Sequence, residues 1–335
     1  IKLHQIWLVY LGYGVLGGCG LGLGYISPVS TLMKWFPDKP GMATGMAIMG
    51  FGGGAMIGSP LAVGLMQYYS SETSTGVLAT MLTMGVLYFC FMMFGVITAR
   101  IPAPDWKPAG WNPASAKKDK LISTNHVSAD DAIKTRQFWQ LWIILCLNVT
   151  AGIGVLSVAS PMIQTVLGVT AVVAGGFVGL LSLFNLLGRI GWSSLSDIIG
   201  RKTAYIIYLG LGAIVYFLVP QVATMGNLLL FVLVWGLIYS MYGGGFSTIP
   251  AYLKDLFGTY QVGAIHGRLL TAWSAAGILG PSLVVYIKNR ALANGVPVEQ
   301  SYNQVLYIMA GILILGLISN LLVKPVSSKY HQPEN

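Results

Sequence analysis

Residues 137–188 read QFWQLWIILCLNVTAGIGVLSVASPMIQTVLGVTAVVAGGFVGLLSLFNLLG, with no Asp, Glu, Lys or Arg among them. A helix crosses the hydrocarbon core in roughly 20 apolar residues, so a run of about fifty must cross, turn and cross again. The turn falls at Leu167-Gly168-Val169-Thr170, the small and polar break within the run. Residues 203–253 form a second run of this kind, and its expected turn lies between Pro220 and Asn227. Shorter charge-free stretches cover 3–33, 40–71, 73–99, 269–287 and 300–323. Together they predict nine helices, near 6–33, 41–67, 77–98, 138–165, 171–196, 203–219, 228–251, 263–286 and 304–323.

Composition agrees with this reading. Of 335 residues, 19 are Lys or Arg and 10 are Asp or Glu, so charge is 9% of the chain; apolar residues are 55% and mean hydropathy is +0.71. A soluble domain carries about 25% charged residues, which excludes a globular water-soluble class. The apolar runs are continuous rather than alternating, which favours helices over a barrel. The expected partners are the lipid bilayer and a small molecule.

Basic residues set the orientation. One set of loops holds Lys34, Lys39, Arg100, Lys107, Lys117, Lys118, Lys120, Lys134, Arg136, Arg201, Lys202, Lys254, Arg268, Lys324 and Lys329. The opposite set holds Lys2, Lys288 and Arg290. The first set is expected in the cytoplasm, with the C-terminus, at the cytoplasmic membrane. The net charge of +9 is then positive-inside bias, and no nucleic-acid partner is needed to explain it.

Residues 99–136, with Pro102, Pro104, Pro108, Pro113 and the cluster Lys117-Lys118-Asp119-Lys120, read as a solvated cytoplasmic linker. It divides helices in 1–98 from a six-helix bundle and short tail in 137–335. Gly45, Phe51 and Gly58 recur as Gly267, Trp273 and Gly280 at one constant offset. This echo points to parallel repeats, as in two-bundle transporters. Six helices per repeat would make twelve, so three further helices are expected ahead of Ile1, consistent with an N-terminus placed outside.

Lys34-Trp35-Phe36-Pro37-Asp38-Lys39-Pro40-Gly41, running on through Ala43-Thr44-Gly45, resembles the fourth-to-fifth helix connection of the oxalate/formate antiporter family, within the major facilitator superfamily. Thr135-Arg136-Gln137-Phe138-Trp139 resembles that family's entry to its seventh helix. Gly188-Arg189 with Ser196-Asp197-Ile198-Ile199-Gly200-Arg201-Lys202 resembles its eighth-to-ninth connection. The resemblance implies an all-α membrane fold, the major facilitator helical bundle, with nine of its twelve helices in this chain.

Arg189 is the only basic residue deep in a predicted span, and no acidic residue lies at similar depth. A charge at mid-helix costs roughly 2.5–3.5 kcal/mol on insertion scales, so it faces a cavity or a partner. Its fork of donors matches a carboxylate. The competing structural reading has it snorkel, or pair with Asp197 about 12 Å along the helix. The resemblance implies that Arg189 faces the central cavity, and that Tyr25, Tyr242 and Phe246 line it with aromatic rings. Where oxalate-exchanging members carry a lysine, this chain has Trp273. One cation balances one negative charge, so a monocarboxylate is expected over a dicarboxylate. Asp197, Gly200, Arg201 and Lys202 match the superfamily's Asp-x-x-Gly-Arg-Lys loop, which implies a conformational latch; Ser193 stands where that motif has glycine.

Other signals carry no chemistry. Gly12-Tyr13-Gly14-Val15-Leu16-Gly17 fits a dinucleotide fingerprint but lies in a hydrophobic span, without the strand it requires. Gly14, Gly18 and Gly22, like Gly50, Gly54 and Gly58, are expected to give helices flat packing faces. Pro28, Pro60, Pro161, Pro250 and Pro281 interrupt helices, which transporters tolerate near a cavity. The four histidines (His4, His126, His266, His331) lie at helix ends, in the linker or in the tail, outside metal-ligand spacing. Cys19, Cys90 and Cys146 are isolated in apolar spans, and Asn148-Val149-Thr150 fits a glycosylation site only inside a span. No metal, cofactor or enzymatic constellation is expected, and no Walker motif supplies ATP. A secondary carrier of a small organic anion follows, working by anion exchange or with a proton, and expected to be a monomer. The alternatives are a carrier of a neutral or cationic metabolite, with Arg189 structural, or a membrane sensor that moves nothing.

Overall fold

The computed structural model describes residues 5–72, 74–103, 106–111, 121–123, 125–156 and 159–332. Lys2, His4, Pro104, Pro113 and the Lys117–Lys120 cluster lie outside the described residues.

Nine helices among the described residues are long and apolar enough to cross a membrane. They are α1 (Ile6–Trp35), α2 (Pro40–Tyr69), α3 (Val77–Thr98), α4 (Arg136–Leu156), α6 (Ala171–Ile199), α7 (Arg201–Thr224), α8 (Leu228–Phe257), α9 (Val262–Ala293) and α10 (Val298–Leu321). Of the span expected over 138–165, α4 and α5 (Ala159–Leu167) are described, and residues 157–158 lie outside the described residues. The spans are the predicted ones, and this is a multi-pass membrane protein. Several helices run further than the apolar stretches, α8 through Lys254 and Asp255 and α9 through Lys288 and Arg290. A charge marks where hydrocarbon ends, whereas the backbone hydrogen-bond ladder continues beyond it.

The turn after Leu167 falls at Gly168, as expected. The second turn is narrower than predicted. Pro220 lies inside α7, and the chain reverses at Met225-Gly226, with φ +65° at Gly226. Asn227 then caps α8, its side chain accepting from the Leu230 amide at 3.0 Å. Pro28, Pro60, Pro250 and Pro281 likewise sit within continuous helices.

α6 packs against α2 on one side and α8 on the other. Among the described residues the close faces are not the predicted glycine stripes: Gly14, Gly18, Gly22, Gly50 and Gly54 meet no other atom within 4 Å of where a Cβ would stand. Approach occurs instead at Gly41, Gly45 and Gly52 of α2 and Gly243, Gly244 and Gly245 of α8, each of which meets α6 or α4. Periodicity finds a flat face, but the partner's position decides whether it is used. Gly188 shows the consequence, because a Cβ there would stand 2.6 Å from the Ser240 backbone carbon. Gly188→Leu should therefore destabilise the α6–α8 pair by about 3 kcal/mol, the upper range for overpacking, since backbone cannot rotate aside. A thermal melt of the detergent-purified protein checks it, and an unchanged melting temperature contradicts the packing.

Where it is described, the linker makes contacts at both of its ends. Trp106 donates to the Trp35 carbonyl at 3.1 Å, and Trp35 to the Arg100 carbonyl at 2.7 Å. Ser123 and Val127 donate from their amides to Asp255 and Phe257, and Gln332 of the tail donates to His126. On an exposed turn nearby, the Lys134 ammonium and Ser128 hydroxyl hold the Asp131 carboxyl below the usual carboxylate range.

Candidate functional site

α6 brings Arg189 to the middle of the bundle, 7% exposed. Its Nε donates to Asn185 Oδ1 at 2.9 Å, one turn back, and one Nη donates to the Ile48 carbonyl of α2 at 3.0 Å. Neither structural alternative holds: the side chain does not snorkel, and Asp197 is engaged elsewhere. No carboxylate partners Arg189 among the described residues. Gly243 makes room for this arrangement, since a Cβ there would stand 3.0 Å from Asn185 Nδ2 and 3.2 Å from Arg189 Cγ.

The guanidinium lies 5.3 Å from the centroid of Phe246 and 6.0 Å from that of Phe51, within range of a cation–π attraction. Beyond these rings is a cavity of about 400 Å³ lined by Tyr25, Phe51, Phe246, Thr271, Trp273 and Ser274, among others. Three of the predicted residues, Tyr25, Phe246 and Trp273, thus share one wall. Tyr25 packs on Phe51 at 5.3 Å and Phe246 at 6.0 Å, and Trp273 on Phe246 at 5.6 Å. Arg189 is set behind the rings rather than in the wall.

Tyr242 does not itself line this cavity, although its hydroxyl reaches Trp273 of the wall. Its ring presses on Gly152 and borders a gap of about 10 Å³ between α4, α7 and α8, with Asn148 and Tyr216. Phe51 lines the cavity but enters the sequence reading only as half of the repeat echo, whose other half is Trp273. Asn185 has a usable signal, four residues before Arg189 on the same helical face.

At the linker end of α6, Asp197 accepts from the Gly41 and Met42 amides, both at 2.9 Å. A carboxylate at a helix N-terminus satisfies donors that have no partner within the helix and meets the positive end of its dipole. Arg201 bridges Asp197 at 2.5 Å and Asp255 at 3.2 Å, and also donates to Ser196. Gly200, with φ +88°, separates α6 from α7 in one residue and folds Arg201 back onto Asp197. Ser193 does not prevent close approach: Gly41 and Gly45 of α2 receive it, and its hydroxyl bonds Ser247 and Thr248. Lys202 stands apart, donating to the Leu321 and Val323 carbonyls at 2.8 Å each, where it caps α10.

A family model for the Major Facilitator Superfamily matches residues 1–281. The chain belongs to that superfamily. Among curated proteins, this facilitator is 28% identical to the oxalate:formate antiporter of Oxalobacter formigenes over 269 residues, covering 80% of this chain and 60% of that protein. It is 25% identical to apicoplast pyruvate carrier 1 of Toxoplasma gondii, covering 83% of this chain and 59% of the carrier. An uncharacterized MFS-type transporter of Escherichia coli, YhjX, is 22% identical over 82% of the chain and 64% of its own length. The chain spans about three-fifths of the length of these relatives. They are named as antiporter, carrier and transporter, not as enzymes.

Proposed function

We propose that this facilitator is part of a secondary carrier that moves a small organic anion, and specifically a monocarboxylate, across the cytoplasmic membrane, with its C-terminus on the cytoplasmic side. The observation that carries the reading is Arg189, a buried guanidinium bonded only to neutral acceptors among the described residues, beside an aromatic cavity of about 400 Å³. That volume suits a small molecule. A cation in low dielectric without a counter-ion attracts an anion strongly. Tyr25 offers its hydroxyl, Phe246 and Trp273 an apolar wall, and Tyr242 a second layer behind Trp273. Phe51 and Phe246 stand between cavity and guanidinium, so rotation of these rings as two bundles rock would admit the carboxylate to the Arg189 fork. Asp197, Gly200 and Arg201 would latch α6 to α2 in one state, and Lys202 would hold α10 alongside. The names of the antiporter and pyruvate carrier relatives support the anion class.

The test is uptake of labelled formate, pyruvate, lactate and oxalate by proteoliposomes containing the complete transporter polypeptide. Saturable uptake of a monocarboxylate, with oxalate excluded, is the expected result. Uptake of none of them sends the substrate search elsewhere. Trp273→Lys probes the charge count, because a second cation would balance a second carboxylate. It should raise oxalate uptake relative to formate about tenfold, a difference near 1.4 kcal/mol. An unaltered ratio would remove Trp273 from the selectivity wall.

A further inference from the structure

The sequence places His266 at a helix end, and there, near the start of α9, it is buried at 1% exposure. Its ring centroid is 5.5 Å from that of Tyr25, in an edge-on arrangement. His266 Nε2 and the Tyr25 hydroxyl are both buried without a hydrogen-bond partner. Native proteins satisfy the great majority of such atoms, so two together call for an explanation.

Their position supplies one. Along α9, Gly263 borders a polar cavity of about 450 Å³ on the linker side, which also includes Lys34, Asp130 and Arg268. One turn on, Gly267 borders the central cavity. Between them α1 closes on α9, with Ile26 within 3.5 Å of a Cβ on Gly263 and 4.0 Å of one on Gly267. His266 packs on Tyr25, which lines the central cavity, while Ala264 and Arg268 on either side of it in sequence line the polar one, so the imidazole lies close to both.

No free carboxylate stands by the imidazole among the described residues. The charged groups on the elements packed against it are Lys34 of α1, Arg136 of α4, Lys254 and Asp255 of α8, Asp130 and Asp131 of the linker turn, and Arg268 of α9 itself, with Lys288 and Arg290 at the opposite end of α9. Asp130 is paired with Arg268, Asp131 with Lys134 and Asp255 with Arg201, while Lys254 donates to the Pro37 carbonyl. The hydroxyls and thiols on these elements are Tyr10, Tyr13, Cys19 and Tyr25 of α1, Cys146 of α4, Tyr239, Tyr242 and Tyr252 of α8, and Tyr286 of α9.

Resting on the carrier reading above, we propose that His266, with Tyr25 beside it, binds the proton that travels with the anion. Histidine is the side chain whose charge changes near physiological pH. An imidazolium here would be a buried cation without a partner, and a carboxylate entering the adjacent cavity supplies one. Proton and anion therefore strengthen each other's binding by the same factor. One proton adds to the Nε2 lone pair as the anion enters and leaves it as the anion departs on the other side. No substrate bond is broken, the moving unit is neutral, and Arg189 keeps its charge throughout.

The complete polypeptide is reconstituted with a trapped pH dye, and labelled pyruvate uptake is compared with an acid-outside gradient and as pyruvate–pyruvate exchange. In the native protein the gradient should raise uptake about tenfold, with acidification of the lumen, a coupling typical of linked sites. In His266→Gln the ratio of gradient-driven uptake to exchange should fall about tenfold, and in Tyr25→Phe by less. His266→Asn is run alongside, so a folding loss in one variant leaves the comparison standing. A native ratio in both His266 variants overturns the assignment. Native exchange indifferent to the gradient overturns proton coupling while the carrier reading stands, whereas absence of both uptake and exchange in the native protein sinks the two together.

Discussion

Arg189→Gln abolishes saturable monocarboxylate uptake while leaving the protein at least as stable as before. The functional loss should be at least about 100-fold, because a charge-assisted hydrogen bond at a desolvated site contributes around 3 kcal/mol. Stability moves the other way for a reason visible in the contacts. Arg189 is buried with neutral partners, Asn185 and the Ile48 carbonyl, and with two aromatic faces. An unbalanced cation at such depth costs roughly 2.5–3.5 kcal/mol on insertion scales. Gln removes that charge and keeps an amide to donate to one of the same acceptors. Arg189→Lys should fall between the two, retaining the charge but not the planar fork. Uptake in proteoliposomes and a thermal melt of the same preparations measure both halves. A variant that transports normally, or that loses transport only because it melts earlier, would place Arg189 among the structural residues.

Asp197→Ala is the second large effect, and it acts on the latch. Its carboxylate receives two amides at the start of α2 and the Arg201 guanidinium, and its side chain is 12% exposed. Removing one partner of a buried pair costs about 3–5 kcal/mol, because the remaining groups lose their compensation. Asp255 still holds Arg201, so the lower end of that range is expected. The loss should appear as separation of α2 from α6 at the linker end. A cysteine introduced in place of Ala43, which is 1% exposed, reports it in a background lacking Cys19, Cys90 and Cys146. Maleimide labelling there should accelerate about 100-fold on Asp197→Ala, following the shift in the closed population. Asp197→Glu, which keeps the charge, should restore slow labelling in part. Equal labelling rates with and without the Asp197→Ala substitution would mean that α2 and α6 are held by their glycine contacts alone.

The spans are legible because the decisive signal is local. A stretch without charge reports its own length, and length alone sets whether it can cross, which is why 137–188 and 203–253 each resolve into two spans. Glycine patterns are symmetric evidence: Gly14-Gly18-Gly22 and Gly41-Gly45 look alike in one dimension, yet among the described residues only the second meets a neighbouring helix. Arg189, Tyr25, Phe246 and Trp273 emerge from depth of charge and from resemblance. Tyr242 shows what sequence cannot give: α8 packs its ring on Gly152 of α4, and only its hydroxyl reaches the wall, at Trp273. His266 escapes notice, since charge gaps end near Arg268 and a histidine there looks peripheral.

By itself, then, the chain determined a membrane protein, its nine spans, and one basic residue too deep to be solvated, all consequences of transfer energies that each segment carries with it. Tertiary structure alone decided what surrounds that residue. The Ile48 carbonyl lies 141 positions from Arg189, and Gly41 lies 156 from Asp197. Contacts at such separation depend on how helices stack, and stacking is settled by pairs of surfaces that no single segment contains.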